Sequence, residues 1–188
     1  MIRATLKQLG PGWLLGVATV AVAGAIYFLL VITGITFNTS ATQPHSKLFA
    51  WGVHVTMTNS VRRRSTGPVP RLARDDATLL SGARLYETRC LSCHGGPGTP
   101  RADWARAMLP TPPYLLDAPK RWTHAELYTL VHDGVKMTGM PAWGEVQSDE
   151  QVAQVVAFVE AMGVMTPDQF TRWRQRARSP QEPPAVSK

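Results

Sequence analysis

Hydrophobic and polar positions follow two different rules along this chain. Residues 8–46 contain no Asp, Glu, Lys or Arg. Within them, residues 13–37 form an apolar run long enough to cross, as a helix, a bilayer core of about 30 Å. Pro11 suits a first helical turn and Trp13 an interfacial anchor. A cleaved signal has an apolar core of about 7–15 residues, which this run exceeds, so the pattern predicts an uncleaved anchor over residues 1–43. Gly12, Gly16, Val20 and Gly24 share an i, i+4 line, and Gly12-x-x-x-Gly16 is a spacing that admits close approach of a second helix. With no ionisable side chain inside the span, ion or proton translocation through it is not expected.

From residue 44 onward the pattern is that of amphipathic helices separated by Gly and Pro. Leu48, Trp51 and Val55 share one helical face ahead of Val61 and Arg62-Arg63-Arg64, which predicts an interfacial helix or docking element over residues 44–66. Gly67-Pro68-Val69-Pro70 reads as a stiff linker within residues 44–75. Residues 76–89 carry Leu79, Leu80, Ala83, Leu85 and Tyr86 at near-helical spacing. Thr123 and Glu126 make a capping pair before Leu127, Leu130 and Val131, with Gly134 as the stop signal. Ser148 and Gln151 repeat the pair before Val152, Val155, Val156 and Val159. Between them, residues 95–120 hold Pro97, Pro100, Pro110, Pro112, Pro113 and Pro119, the mark of an irregular loop, with Trp104 and Met108 four apart as a possible short helix. After Met165, Thr166-Pro167 opens a basic helix bearing Phe170 and Trp173, and residues 179–188 have the composition of a disordered tail. The fold class is therefore all-α, with a compact domain over 76–165 and a basic extension over 166–188.

Charge changes this picture in one respect. The net charge of +7 belongs to the flanks. Residues 1–75 hold eight Lys/Arg and one acid, residues 76–165 seven and ten, residues 166–188 five and two. The compact domain is thus mildly acidic. No nucleic-acid-binding motif accompanies the basic flanks, which excludes that role and leaves anionic lipid and protein partners as their expected contacts. His45, His54 and Met57 are donor types that suit copper, but their placement is better read as an amphipathic surface.

The chemistry lies in Cys90-Leu91-Ser92-Cys93-His94, which holds the only two cysteines of the chain. Two thiols at this spacing add across the vinyl groups of a haem, and the adjoining imidazole becomes the proximal iron ligand. A thioredoxin-type pair does not require the histidine, and zinc would need a second Cys/His cluster that the sequence does not contain. A saturated iron also needs a sixth ligand. Met140, in Lys136-Met137-Thr138-Gly139-Met140-Pro141-Ala142-Trp143-Gly144, is the leading candidate. Met137 and His132 are its competitors. A thioether favours ferrous iron and raises the reduction potential.

Taken together, C-L-S-C-H-G, T-G-M-P-A-W-G and the helix S-D-E-Q-V-A-Q-V-V-A-F-V resemble a class I cytochrome c of the small monohaem type, over residues 76–165. The resemblance implies one haem c, attached covalently at Cys90 and Cys93, with His94 and Met140 as axial ligands and no catalytic residue. It implies a first and a last helix crossing at Gly82, Tyr86 and Phe158. A proline carbonyl should accept the Nδ1–H of His94, with Pro112 and Pro113 both candidates. Trp143 should either meet a haem propionate or pack on the ring. Maturation of c-type cytochromes outside the cytoplasm places the haem domain in the periplasm. The expected topology is a single pass through the bacterial inner membrane with the N-terminus cytoplasmic, although Arg3, Lys7 and Lys47 give only a modest charge bias. The expected function is electron transport between redox partner proteins. The alternative is a dedicated cytochrome subunit of a larger respiratory or dehydrogenase complex, such as a haem–copper oxidase, in contact with integral-membrane subunits. A sensor or peroxidase would need an open distal position, which Met140 argues against.

Overall fold

The structure is a computed structural model describing residues 11–179, and the chain divides after Gln43 into two units. Arg3, Lys7 and the tail beyond Ser179 lie outside the described residues. In the first unit, α1 (Pro11–Ile32) has 22 residues, a rise of about 33 Å. None of its apolar span is buried, the condition of a helix whose covering is lipid. No atom approaches within 4 Å of where a Cβ would sit on Gly12 or Gly16. The expected run to residue 37 is shortened, and the local reason is visible. The Thr33 hydroxyl donates to the Leu29 carbonyl at 2.8 Å, and Gly34 then takes a φ of 77°, a conformation that stops a helix cheaply only at glycine.

The second unit starts with α2 (Lys47–Arg64), whose N-terminus is capped by Ser46 accepting from the Phe49 amide. Its C-terminal half is seated on α7 (His124–Asp133): Val61 is buried, Arg62 lies 3.5 Å from Glu126, and Arg64 pairs with Asp133. Two of the three consecutive arginines are thereby committed to the chain itself. The first turns stand clear, with Leu48, Trp51 and Val53 exposed. His45 lies against the Phe49 ring at 4.9 Å, and no cluster of three or more His, Cys, Asp or Glu side chains suited to a metal occurs among the described residues.

The core is built on two helices. α3 (Asp76–Leu85) is capped by Asp75, whose carboxylate accepts from the Thr78 amide at 2.8 Å and is held below the usual carboxylate range by that bond. It runs through a π-helical turn, Tyr86–Cys90, into the short α4 (Leu91–His94). α8 (Asp149–Met162) opens on the Ser148/Gln151 capping box and buries Val152, Val155, Val156, Phe158 and Val159. The two helices cross at Gly82. A Cβ there would stand on the Gln154 carbonyl and 2.9 Å from Cβ of Phe158, so glycine is required by the approach of the backbones. Tyr86 and Phe158, both buried, face each other with ring centroids 5.6 Å apart.

α9 (Pro167–Arg178) is not a free extension. Phe170 is fully buried, 6.2 Å from Tyr86 and 6.3 Å from Phe158 between ring centroids, in a place that Gly96 keeps open by lacking a Cβ. Arg174 donates to both oxygens of Glu87 at 2.8 and 3.2 Å, Arg178 Nε to the same carboxylate at 2.6 Å, and Arg176 to Asp76 at 2.8 Å. Burial alone would raise Glu87, but the arginines outweigh it and hold the carboxyl below its ordinary range. The basic face read in the sequence as a partner or lipid surface is thus largely consumed by acids of the haem-motif helix. The linker is also pinned. His124 on α7 donates through Nε2 to the Pro70 carbonyl at 3.0 Å and sets Nδ1 at 3.1 Å from Glu160, which takes Arg74 at 2.7 Å.

Candidate haem centre

A π-helical turn widens the helix by one residue just before the motif, a feature frequent at functional sites. It delivers Cys90 to the start of α4, with Cys93 three residues on along the same face. Both thiols are free. Burial first, and Cys93 second, push the Cys90 thiol up to about 12. This is the reverse of the depressed value that activates a C-x-x-C redox pair. α4 ends at His94 because Gly95 turns at φ 62°, a position whose Cβ would strike the Thr99 carbonyl and the Tyr114 ring. Tyr86 fixes this bend from below, its buried hydroxyl donating to the Gly95 carbonyl at 2.7 Å. Gly96 and Thr99 exchange two 2.9 Å backbone bonds, and Ala102 N–H donates to Ser92 at 2.9 Å, folding the loop back onto the motif.

His94 Nδ1 lies 2.7 Å from the Pro113 carbonyl, and the carbonyl can only accept. Pro113 is therefore the partner that the sequence left open between two prolines. The bond fixes the tautomer, with hydrogen on Nδ1 and the lone pair on Nε2. Burial lowers the proton affinity of His94; the Pro113 bond opposes that, and the charge of Arg101 adds to it. The net direction favours the neutral ring, which is the form that binds a metal.

The segment that carries the candidate sixth ligand is a tight loop. Val135 N–H donates to the Met140 carbonyl at 3.2 Å, and Thr138 Oγ1 donates to the Val135 carbonyl at 2.7 Å while accepting from Met140 N at 3.1 Å. Met140 is half-buried; Met137, at φ 61°, is 93% exposed. His132 is committed elsewhere: Nδ1 is 2.8 Å from Asp133, Nε2 3.5 Å from Asp149, and the ring stacks on Tyr128 at 5.6 Å. Met108, which the sequence reading placed only in a short helix with Trp104, sets its methyl where a Cβ on Gly139 would go. The short helix near it is α5 (Asp103–Arg106), which ends before Met108. The four-residue spacing from Trp104 gives no sign of the contact with Gly139, which is set by loop packing. Leu85, Cys90, Val131, Trp143, Val152 and Val155 line an apolar cleft beside the motif, with Arg89 placed 5.9 Å from the Trp143 ring centroid.

Two free thiols on one helical face and an adjoining neutral imidazole with a directed lone pair fit a covalently attached haem. An all-helical domain carrying that set is a c-type cytochrome domain. Residues 77–159 match the family described as cytochrome C oxidase, cbb3-type, subunit III, so this stretch is a cytochrome c domain of the cbb3 type, a class I c-type cytochrome, and implies covalently bound haem c. No solved structure matches the chain.

Proposed function

We propose that the protein is a membrane-anchored monohaem cytochrome c carrying electrons at the periplasmic face of a bacterial inner membrane, its N-terminus cytoplasmic. Cys90 and Cys93 attach the haem, and His94 and Met140 ligate its iron. The observation that carries this reading is the 2.7 Å bond from His94 Nδ1 to Pro113, which leaves Nε2 as the metal-binding atom one residue beyond the thiols. Met140 is supported as sixth ligand by the exposure of Met137 and the carboxylate partners of His132. When bound, the haem supplies a one-electron change of iron charge. The chain's own residues do the rest. His94 is held neutral and oriented, and the Met140 thioether favours the ferrous state. The role proposed for these residues is electron carriage, and none of them is assigned to bond making or breaking.

A second reading has specific support. The family that residues 77–159 match is described as an oxidase subunit, and the first turns of α2 leave Leu48 and Trp51 exposed. Both favour a cytochrome subunit held by integral-membrane partners of a larger respiratory complex. Both readings require the same centre. In the full chain, purified in mild detergent, haem is expected to survive denaturing electrophoresis, and the ferrous protein is expected not to bind carbon monoxide. Loss of haem from the denatured chain would remove the covalent reading; ready carbon monoxide binding would turn the protein into a sensor or enzyme.

A further inference from the structure

α9 lies beyond residues 77–159, the stretch that matches the family, yet one of its faces is laid along the chain that follows His94. Pro167, Phe170 and Arg174 are spaced by three and then four residues, which puts them on one side of the helix. Phe170 fills the space beside Gly96, and Pro167 puts its Cβ 2.8 Å from where a Cβ on Gly98 would stand. Arg174 Nη1 donates to Thr99 Oγ1 at 3.1 Å. The same guanidinium spends Nε and Nη2 on the two oxygens of Glu87, a residue of the π-helical turn that delivers Cys90. One side chain therefore grips the chain three residues before Cys90 and five residues after His94.

Burial sets this contact apart from the neighbouring ion pair of α9. The Arg174 and Glu87 side chains are 20% and 12% exposed, against 44% and 69% for Arg176 and Asp76. Exposed pairs are screened by water and contribute little. A forked, charge-assisted pair withdrawn from water fixes geometry as well as energy. The segment that Arg174 brackets needs such support, because α4 has only four residues and so short a helix does not hold its own direction. We propose that Arg174 is a positioning residue of the haem centre, joining the two ends of the Cys90–His94 segment and so setting the plane in which the His94 ring meets the iron. The inference rests on haem attachment at Cys90 and Cys93 and on ligation by His94. Pro113 fixes the tautomer through the ring itself, while Arg174 fixes the backbone that carries the ring. Without Arg174 the π-helical turn and the Thr99 turn are free to move apart, and the imidazole swings about its Pro113 bond.

The test uses the full-length holoprotein in mild detergent, with Arg174→Gln, Arg174→Lys, Thr99→Val and Arg176→Gln set beside the unaltered chain. Two quantities are read: Tm, and the proton resonances of the haem methyl groups in the ferric protein, whose spread follows the orientation of the axial ligands. Arg174→Gln is expected to redistribute these resonances and to lower Tm. Thr99→Val removes the acceptor beyond His94 but leaves Glu87 paired, and should change the pattern in the same sense by less. Arg174→Lys keeps the charge without the fork and should not restore the pattern. Arg176→Gln removes the pair with Asp76 at the start of α3 and should leave the pattern unchanged. If haem is attached and the resonances stay put in both Arg174→Gln and Thr99→Val, the proposal is wrong, even where Tm falls. An equal redistribution in Arg176→Gln would also overturn it, since the effect would then belong to the docking of α9 as a whole. Should Arg174→Gln fail to retain haem, the patterns of Arg174→Lys and Thr99→Val decide. Absence of covalent haem from the unaltered protein would instead sink the cytochrome reading on which the inference stands.

Discussion

A single thioether decides whether this centre is closed, and the two methionines that compete for the role differ in backbone as much as in position. Met137 sits at φ 61° and is 93% exposed, whereas Met140 is half-buried and tied by its own amide to Thr138. Met140→Ala is expected to abolish the weak far-red band of a ferric methionine–haem centre. It should also lower the reduction potential and let carbon monoxide bind the ferrous form. Met137→Ala should leave all three unchanged. The opposite pattern would move the ligand to Met137, and an effect of neither would return His132 to consideration. At the motif, the double substitution of Cys90 and Cys93 by Ala should leave no haem on the denatured chain, read by haem staining after electrophoresis.

Between helices, close approach and charge matching do different work. At the α3–α8 crossing, Gly82→Ala forces a methyl into the Gln154 backbone, which cannot move without separating the helices. Overpacking of this kind costs about 1–3 kcal/mol, and thermal unfolding of the holoprotein should show it as a lowered Tm. An unchanged Tm would mean that the crossing is looser than described. The contact of α9 with the π-helical turn is electrostatic at its rim, through Glu87, Arg174 and Arg178. The folded Glu87 carboxyl is depressed below its ordinary value. Its stabilising contribution is therefore present above the ordinary glutamate value of about 4.3 and is lost as pH falls through the lower folded value. Glu87→Gln should narrow the stability difference between pH 7 and pH 3. An identical acid dependence in the two proteins would show that another carboxylate governs it.

On the scale of the whole chain, the division after Gln43 separates an apolar helix from the haem-bearing unit. Removal of residues 1–43 behind a cleavable export signal should yield a soluble domain with the visible spectrum of the full protein, checked by fractionation and absorbance. Stable stoichiometric subunits co-purifying with the full chain in mild detergent would select the complex over the lone carrier. Some of this was written in the residues alone. The apolar span, the Thr123/Glu126 and Ser148/Gln151 capping boxes and the C-x-x-C-H turn are local signals, each set by neighbours within a few residues, so the sequence determined them. The choice of Pro113 over Pro112, the outward turn of Met137 and the fit of Met108 against Gly139 were decided by loop packing, which has no period to read. Phe170 and the α9 arginines look in sequence like a basic extension. Phe170 belongs to the core because Gly96 leaves room for the ring, and the arginines pair at its rim with Asp76 and Glu87, a match between distant segments that exists only once the chain has folded.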